Sequence, residues 1–403
     1  MATHAWLEPS EALHARVRQL IDGATAGGPL RAGPAREPRH GATAAGSPDG
    51  ERAAEVDALA LAIARYQATH VPAVAQLYAA RGIEPAALAS ASQIPAMPAE
   101  LFRLRRMAAH DQAEDERCFR TSGTSQGAAA RGEHPMRTTR TYAGAALAWG
   151  ARLLWPDRPK LRLLSLVAPE KRATDSSLSF MVARFGERLD PAATSFFDGQ
   201  TLDVDGFARA CRDAQAHGQA TLVCATAFAL VELCDRLGAE RLVLPAGSRV
   251  MQTGGFKRRS RELEPGELRR LVAARFALPE AYVVGEYGMT ELSSQLYEGT
   301  LCRALGRGFA SAAPGRYFAP PWVRVTAVDP IELVPLPLGE VGLCQLLDLA
   351  NVDSALVVLT ADVCRQHADG SIELTGRAPG AEPRGCSLAA EEALDPALRS
   401  GTT

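Results

Sequence analysis

Along the chain, apolar residues first recur at helical spacing and later gather into short continuous runs. Between residues 8 and 21, Leu13, Val17, Leu20 and Ile21 share one helical face behind a candidate cap at Ser10, which predicts a short helix. Residues 23–51 are rich in Gly, Ala and Pro with little to bury, and read as a disordered linker. Helical spacing resumes at Val56, Leu59, Ile63 and Tyr66, continues through Val71, Val74, Leu77 and Tyr78, and stops at Gly82. The segment 94–103, with Pro95 and Pro98 ahead of a short amphipathic piece, reads as a packing arm rather than a site.

Further on, the texture changes. The runs at 161–167, 220–226, 248–255 and 281–288 predict buried strands, and 207–218 and 266–277 predict helices between them. That alternation is the signature of a layered α/β core with at least partly parallel strands. Toward the C-terminus, 322–329, 342–349, 354–363 and 371–377 predict strands separated by turns, a small β subdomain. The expected organisation is an N-terminal extension (1–54), largely linker, an α/β core (55–320), and a β-rich subdomain with a tail (321–403).

Composition narrows the function classes. Of the 403 residues 47% are hydrophobic and 22% charged, ordinary for a globular protein, and the net charge of −2 draws the chain neither to nucleic acid nor to anionic membrane. No apolar run approaches the roughly 20 residues that span a bilayer, and the best stretch, 143–155, is interrupted by Arg152. The N-terminus lacks the basic start and apolar core of a secretory signal. The eight cysteines are scattered without a C-x-x-C pair, which suits reduced thiols and a cytoplasmic setting. Only Lys160, Lys171 and Lys257 among the 44 basic residues are lysines.

The candidate chemistry lies in five short strings. Thr121, Ser122, Gly123, Thr124, Ser125 and Gly127 place hydroxyls and glycine amides in one loop, where main-chain N–H groups can approach polyphosphate closely. The loop lacks the G-x-x-x-x-G-K-[ST] spacing of a Walker A motif, and a plain polar surface loop has the same composition. Gly254 and Gly255 end a predicted strand, with Lys257 after them. In the string EYGMTE, Glu286, Tyr287 and Gly288 end another strand, with Tyr287 free to stack on a purine and Glu291 able to reach a magnesium ion; a capped strand-to-helix turn reads the same way. Asp362 and Arg377 lie on adjacent predicted strands, where they suit ribose and phosphate or simply pair with each other. Cys386 sits beside Arg384 in a turn-rich tail, a setting that favours thiolate.

Taken in order, TSGTSQG, TGGFK, YGMTE, TADVC and LTGR resemble the adenylate-forming superfamily of acyl-CoA synthetases, luciferases and peptide-synthetase adenylation domains. The N-terminal helices, the 94–103 arm and the RGCSL tail are similar to the acyl-protein synthetases, the LuxE-like fatty-acid–protein ligases, over residues 55 to 390 or so. The resemblance implies an α/β fold of adenylate-forming type that converts a carboxylic acid, a fatty acid in the LuxE-like case, and ATP into acyl-AMP with Mg²⁺, then loads the acyl group on a thiol. On that resemblance the 121–127 loop cradles phosphates, and Gly254, Gly255, Glu286, Tyr287 and Gly288 frame adenine. Thr290 and Glu291 serve phosphate and metal, Asp362 holds ribose, and Arg377 contacts phosphate or ribose. Cys386 receives the acyl group and passes it to a partner such as an acyl reductase or acyl carrier protein.

Two departures accompany the likeness. Gln126 and the AAARG string alter the phosphate loop, so that Arg131 stands where a lysine is usual. Only 26 residues follow Arg377, too few for the superfamily's mobile C-terminal domain with its adenylation lysine, which leaves Lys257 to take that role. An acyl- or aryl-CoA ligase and a catalytically silent nucleotide- or acyl-binding subunit are the alternatives.

Overall fold

The computed structural model describes residues 4–26, 48–121, 131–254 and 264–378. Three helices come first: α1 (Leu7–Ala26), α2 (Pro48–His70) and α3 (Pro72–Ala80). They are followed by β1 (Met97–Pro98), α4 (Leu101–Leu104), the hairpin strands β2 (Arg117–Arg120) and β3 (Glu133–Met136), and α5 (Arg140–Leu153). An alternating stretch then runs through β4 (Arg162–Leu166), α6 (Ser177–Leu189), β5 (Thr194–Ser195), α7 (Val204–Ala216), β6 (Thr221–Thr226), α8 (Ala227–Leu237), β7 (Arg249–Thr253), α9 (Pro265–Phe276) and β8 (Val283–Tyr287). After it come β9 (Leu296–Glu298), α10 (Thr300–Ala304), β10 (Arg316–Phe318), β11 (Val323–Val328), β12 (Val341–Asp348), β13 (Val357–Gln366) and β14 (Ile372–Arg377).

One twisted sheet carries most of these strands, in the order β11-β12-β13-β14-β10-β9-β8-β7-β6-β4-β5, with β1 added along β13. From β5 to β8 the neighbours are parallel, and from β8 to β11 they are antiparallel. The strands predicted at 161–167, 220–226, 248–255 and 281–288 are β4, β6, β7 and β8, and their near-continuous apolar runs follow from burial on both faces. Leu222, Cys224, Met251 and Val284 belong to one apolar cluster, whereas Val223, Ala225, Val250 and Val283 belong to the other. Local chemistry starts the covering helices: Ser176, Asp203 and Thr226 accept from main-chain N–H groups in the first turns of α6, α7 and α8, each such cap contributing about 1 kcal/mol. The C-terminal strands β11–β14 prolong this same sheet, so the smaller β region shares hydrogen bonds with the α/β part through the β10–β14 pairing.

The predicted N-terminal helix is present and longer than its apolar pattern indicated. Val17 and Ile21 of α1 are fully buried, and so are the polar Ser10 and His14. The reason is a carboxylate on the far side of the core. Asp353 accepts from Ser10 Oγ at 2.6 Å and Tyr66 Oη at 2.8 Å, stands 3.0 Å from His14 Nε2, and has Arg137 Nε at 3.4 Å. Burial alone would raise its pKa; His14, Ser10 and Tyr66 outweigh that and hold Asp353 well below the usual carboxylate range. Helices α1 and α2 are thereby fastened to the turn between β12 and β13.

Candidate active site

The parallel part of the sheet ends at β8, and open α/β sheets bind ligands beyond the carboxyl ends of their strands. Several predicted residues meet there. Thr121, at the end of β2, accepts from Gly132 N through Oγ1 at 2.9 Å and donates its own N–H to Gly132 O at the same distance, closing the neck of the 122–130 segment. A β-carbon on Gly132 would lie 3.2 Å from Thr121 Cγ2, 3.5 Å from Glu291 Oε1 and 3.7 Å from Phe102 Cβ. The Glu291 carboxylate thus lies against the neck of that loop. Phe102 of the arm, read from sequence as packing alone, forms part of this wall.

Glu291 is buried, and its pKa is pushed up to about 7, mainly by loss of water and secondarily by the Glu100 and Asp362 carboxylates. The main chain around it is held closely. His134 Nδ1 lies 2.8 Å from Thr290 O, and burial drives the imidazole pKa down to about 4, so a neutral ring donates that bond. Asn351 Nδ2 donates to Glu291 O at 2.9 Å while its Oδ1 accepts from Ser293 Oγ at 2.6 Å. Asp348 accepts from Ser293 N and Ser294 Oγ at 2.9 and 2.8 Å. The turn that carries Asp353 therefore also grips the segment that carries Glu291. Thr290 itself has a half-buried side chain.

The second group is built from β8, β13 and β14. Tyr287 Oη donates to Asp362 Oδ2 at 2.8 Å, and Arg377 Nε stands 3.2 Å from Asp362 Oδ1. Asp362 and Arg377 face each other across β13 and β14, as the adjacent-strand reading required. Both act on Glu291 electrostatically, Asp362 raising its pKa and Arg377 lowering it. Burial raises the Tyr287 phenol, keeping it a donor. Gly254 ends β7 with a φ of +75°, a conformation in which a side chain would be strained, and it is exposed, as is Gly288.

Two residues stand differently from their expected roles. Glu286 is buried, accepts from Thr253 Oγ1, and points to the face of β8 opposite Tyr287, so its side chain is turned away from the Tyr287–Asp362 pair. The Arg131 guanidinium is occupied by Asp175 at 2.7 Å, Thr121 O at 2.5 Å and Arg120 O at 3.3 Å; it clamps the neck of the loop instead of projecting a free cation. Ser122, Gly123, Thr124, Ser125, Gly127, Gly255, Lys257 and Cys386 lie outside the described residues. His134, Asn351 and Asp348 were not legible as site residues, because each acts on a segment more than 50 positions away.

The donor set suits magnesium held largely by phosphate. Among the described residues no cluster of three or more His, Cys, Asp or Glu side chains forms a protein-only metal cage. Glu291 supplies one buried carboxylate, and Mg²⁺ in nucleotide sites is bound through one or two carboxylates with phosphates and water completing the shell. No described helix is long and apolar enough to cross a membrane.

Comparison with known proteins bears on the family and the fold. The family model described as acyl-protein synthetase, LuxE, matches residues 83–395. The long-chain-fatty-acid–luciferin-component ligase of Vibrio harveyi is 22% identical over 313 residues, which cover 75% of this chain and 79% of that one. Among solved structures, 2-hydroxyisobutyryl-CoA ligase in complex with 2-HIB-AMP and CoA, in its thioesterification state, has a TM-score of 0.59 at 15% identity, covering 85% of this chain and 73% of its own. The same ligase in the postadenylation state with 2-HIB-AMP gives 0.58 at 15% identity, covering 89% and 78%. At such identities the likeness is one of fold, and it is the expected layered α/β architecture with a smaller β region.

Proposed function

This chain belongs to the acyl-protein synthetase (LuxE) family, whose ATP-dependent chemistry activates a carboxylic acid as an acyl-adenylate, and from that premise we propose that it joins the activated acid to a thiol. The observation that carries the reading is the meeting of Thr121, Gly132 and Glu291 at one point, with Tyr287, Asp362 and Arg377 beside it. In the first step a carboxylate oxygen attacks the α-phosphorus of ATP; an acyl–O–P bond forms, and the bond to the leaving pyrophosphate breaks. The loop closed by Thr121 and Arg131 cradles the phosphates, Asp362 accepts from ribose hydroxyls, and Arg377 balances phosphate charge. Glu291 would hold Mg²⁺, which when bound would supply neutralisation of phosphate charge. Lys257 stands in for the adenylation lysine. In the second step a thiolate attacks the acyl carbon, a C–S bond forms and AMP leaves.

Two thiols compete for that role. The solved ligases that this chain resembles are CoA ligases, and they support coenzyme A as acceptor ahead of the protein thiol favoured by the sequence. The protein-thiol reading has the family description behind it, with Cys386 as the loaded residue, a fatty acid as cargo, an acyl reductase or carrier as recipient and a cytoplasmic setting. Acid-dependent release of pyrophosphate from ATP and Mg²⁺, followed by intact mass with and without CoA, tests both. Acyl-CoA without a protein adduct selects the first. A hydroxylamine-labile adduct that disappears in Cys386→Ser selects the second. Absence of pyrophosphate across fatty, aryl and short acids overturns the adenylating role.

A further inference from the structure

The direction of a side chain is set by the two peptide units that flank its α-carbon. At Glu291 both are held, and by different parts of the chain. The carbonyl before it, Thr290 O, lies 2.8 Å from His134 Nδ1 on β3. The carbonyl after it, Glu291 O, accepts from Asn351 Nδ2 at 2.9 Å, in the turn between β12 and β13. A carbonyl oxygen only accepts, so Nδ1 is a protonated nitrogen of His134. Asn351 Nδ2 also donates to Ala355 O at 3.0 Å; two carbonyls on that side fix the amide and leave its Oδ1 to Ser293 Oγ at 2.6 Å.

Both donors are themselves fixed. His134 is buried, and its ring meets Phe102 edge-on, with centroids 5.7 Å apart at 81°. Asn351 is buried too, and Gln67 of α2 grips the turn behind it. Gln67 Nε2 donates to Asn351 O at 2.6 Å and to Val352 O at 3.0 Å, while its Oε1 accepts from Leu356 N at 3.0 Å. On the other side, Gly132 precedes His134 by two residues, and a β-carbon there would lie 3.5 Å from Glu291 Oε1. Residues two apart along extended backbone face the same side. The segment 132–134 therefore meets Glu291 both at its carboxylate and at the peptide before it.

We propose that His134 and Asn351 are positioning residues that aim the Glu291 carboxylate at the loop neck, and that they thereby set the affinity of the nucleotide site for a divalent cation. The proposal rests on the adenylating reading, in which Glu291 would hold Mg²⁺. Both side chains act through main-chain carbonyls and need touch neither nucleotide nor metal. A carboxylate that must meet a cation and a phosphate together loses affinity when its direction relaxes, and groups behind a metal ligand commonly account for about 10–100-fold in metal affinity.

The test uses the full chain without acid, so that binding is read apart from turnover. ATP binding is measured by calorimetry with Mn²⁺ as the probe cation and again in EDTA. His134→Phe and Asn351→Leu stay close in shape and delete the donors, whereas His134→Asn keeps an amide N–H where Nδ1 lies. The Phe and Leu variants are expected to weaken Mn²⁺-dependent binding about tenfold while metal-free affinity stays within about twofold, and His134→Asn should recover most of the loss. Melting temperatures on the same samples confirm folding, and each position carries the test independently. Unchanged metal dependence in the folded variants, equal losses with and without Mn²⁺, or an Asn variant as weak as the Phe variant overturns the proposal while leaving adenylation standing. Selective loss of metal-dependent binding, in a chain that releases no pyrophosphate with any acid, upholds the positioning role and removes the adenylating one. No ATP binding by the wild-type chain overturns both.

Discussion

Asp353 and Glu291 are buried to nearly the same extent, at 6% and 7% exposure, yet their surroundings push them in opposite directions. Asp353 is met by a serine hydroxyl, a phenol, an imidazole and a guanidinium, and its pKa is held below the carboxylate range. Glu291 has its backbone pinned by Asn351, but its carboxyl faces the loop neck with two other carboxylates in reach, and its pKa rises to about 7. One carboxylate is complete within the protein; the other is the one proposed here to hold a cation. The difference separates a fastener from a chemical group better than burial alone does.

The largest effect should come from the incomplete member. Glu291→Gln keeps the volume and removes the charge, and pyrophosphate release should fall about 1,000-fold, as when a principal electrostatic contact to developing charge is lost. Retention of a tenth or more of the wild-type rate would remove Glu291 from the metal-binding role. Asp353→Ala should act on stability instead, by about 3–5 kcal/mol in urea, because His14 and Arg137 are left facing a buried gap. If that variant melts like the wild type, the N-terminal helices are not fastened through this residue.

The comparison is sharpened by pH. Glu291 has a folded pKa above its ordinary 4.5, so its contribution to stability is complete below about 4.5 and is lost as pH rises through about 7, on the order of 3 kcal/mol in all. Asp353 is depressed below its ordinary 3.8, so its contribution is complete above that value and is lost as pH falls through the lower folded pKa. Urea titrations over this range should show Glu291→Gln flattening the neutral slope and Asp353→Asn flattening the acid slope. The reverse assignment would refute the contrast. A smaller effect is expected at Tyr287→Phe, which deletes one hydrogen bond to Asp362 and should raise KM for ATP about fivefold with kcat little changed.

Local chemistry explains how much of this was legible. Strand runs at 220–226 and 281–288 and the Asp362–Arg377 pairing follow from short-range pattern, because burial on both faces writes continuous apolar runs and antiparallel neighbours keep register. The reach of α1 was not legible. Its apolar stripe predicted a helix, but Ser10 was read as a cap, whereas its hydroxyl meets a carboxylate 343 positions away. The resemblance set Glu286 with Tyr287 around the adenine; strand alternation turns the two side chains to opposite faces.

The order of motifs in the chain determined the family and the α/β layering, and it singled out the residues proposed here to touch phosphate, ribose and metal, since those depend on residue type and near spacing. Tertiary structure alone decided which carboxylates are satisfied and which are open, and that Arg131 clamps a loop neck. Hydrogen-bond partners and desolvation are set by what distant segments bring to one point, and one-dimensional spacing carries no record of that.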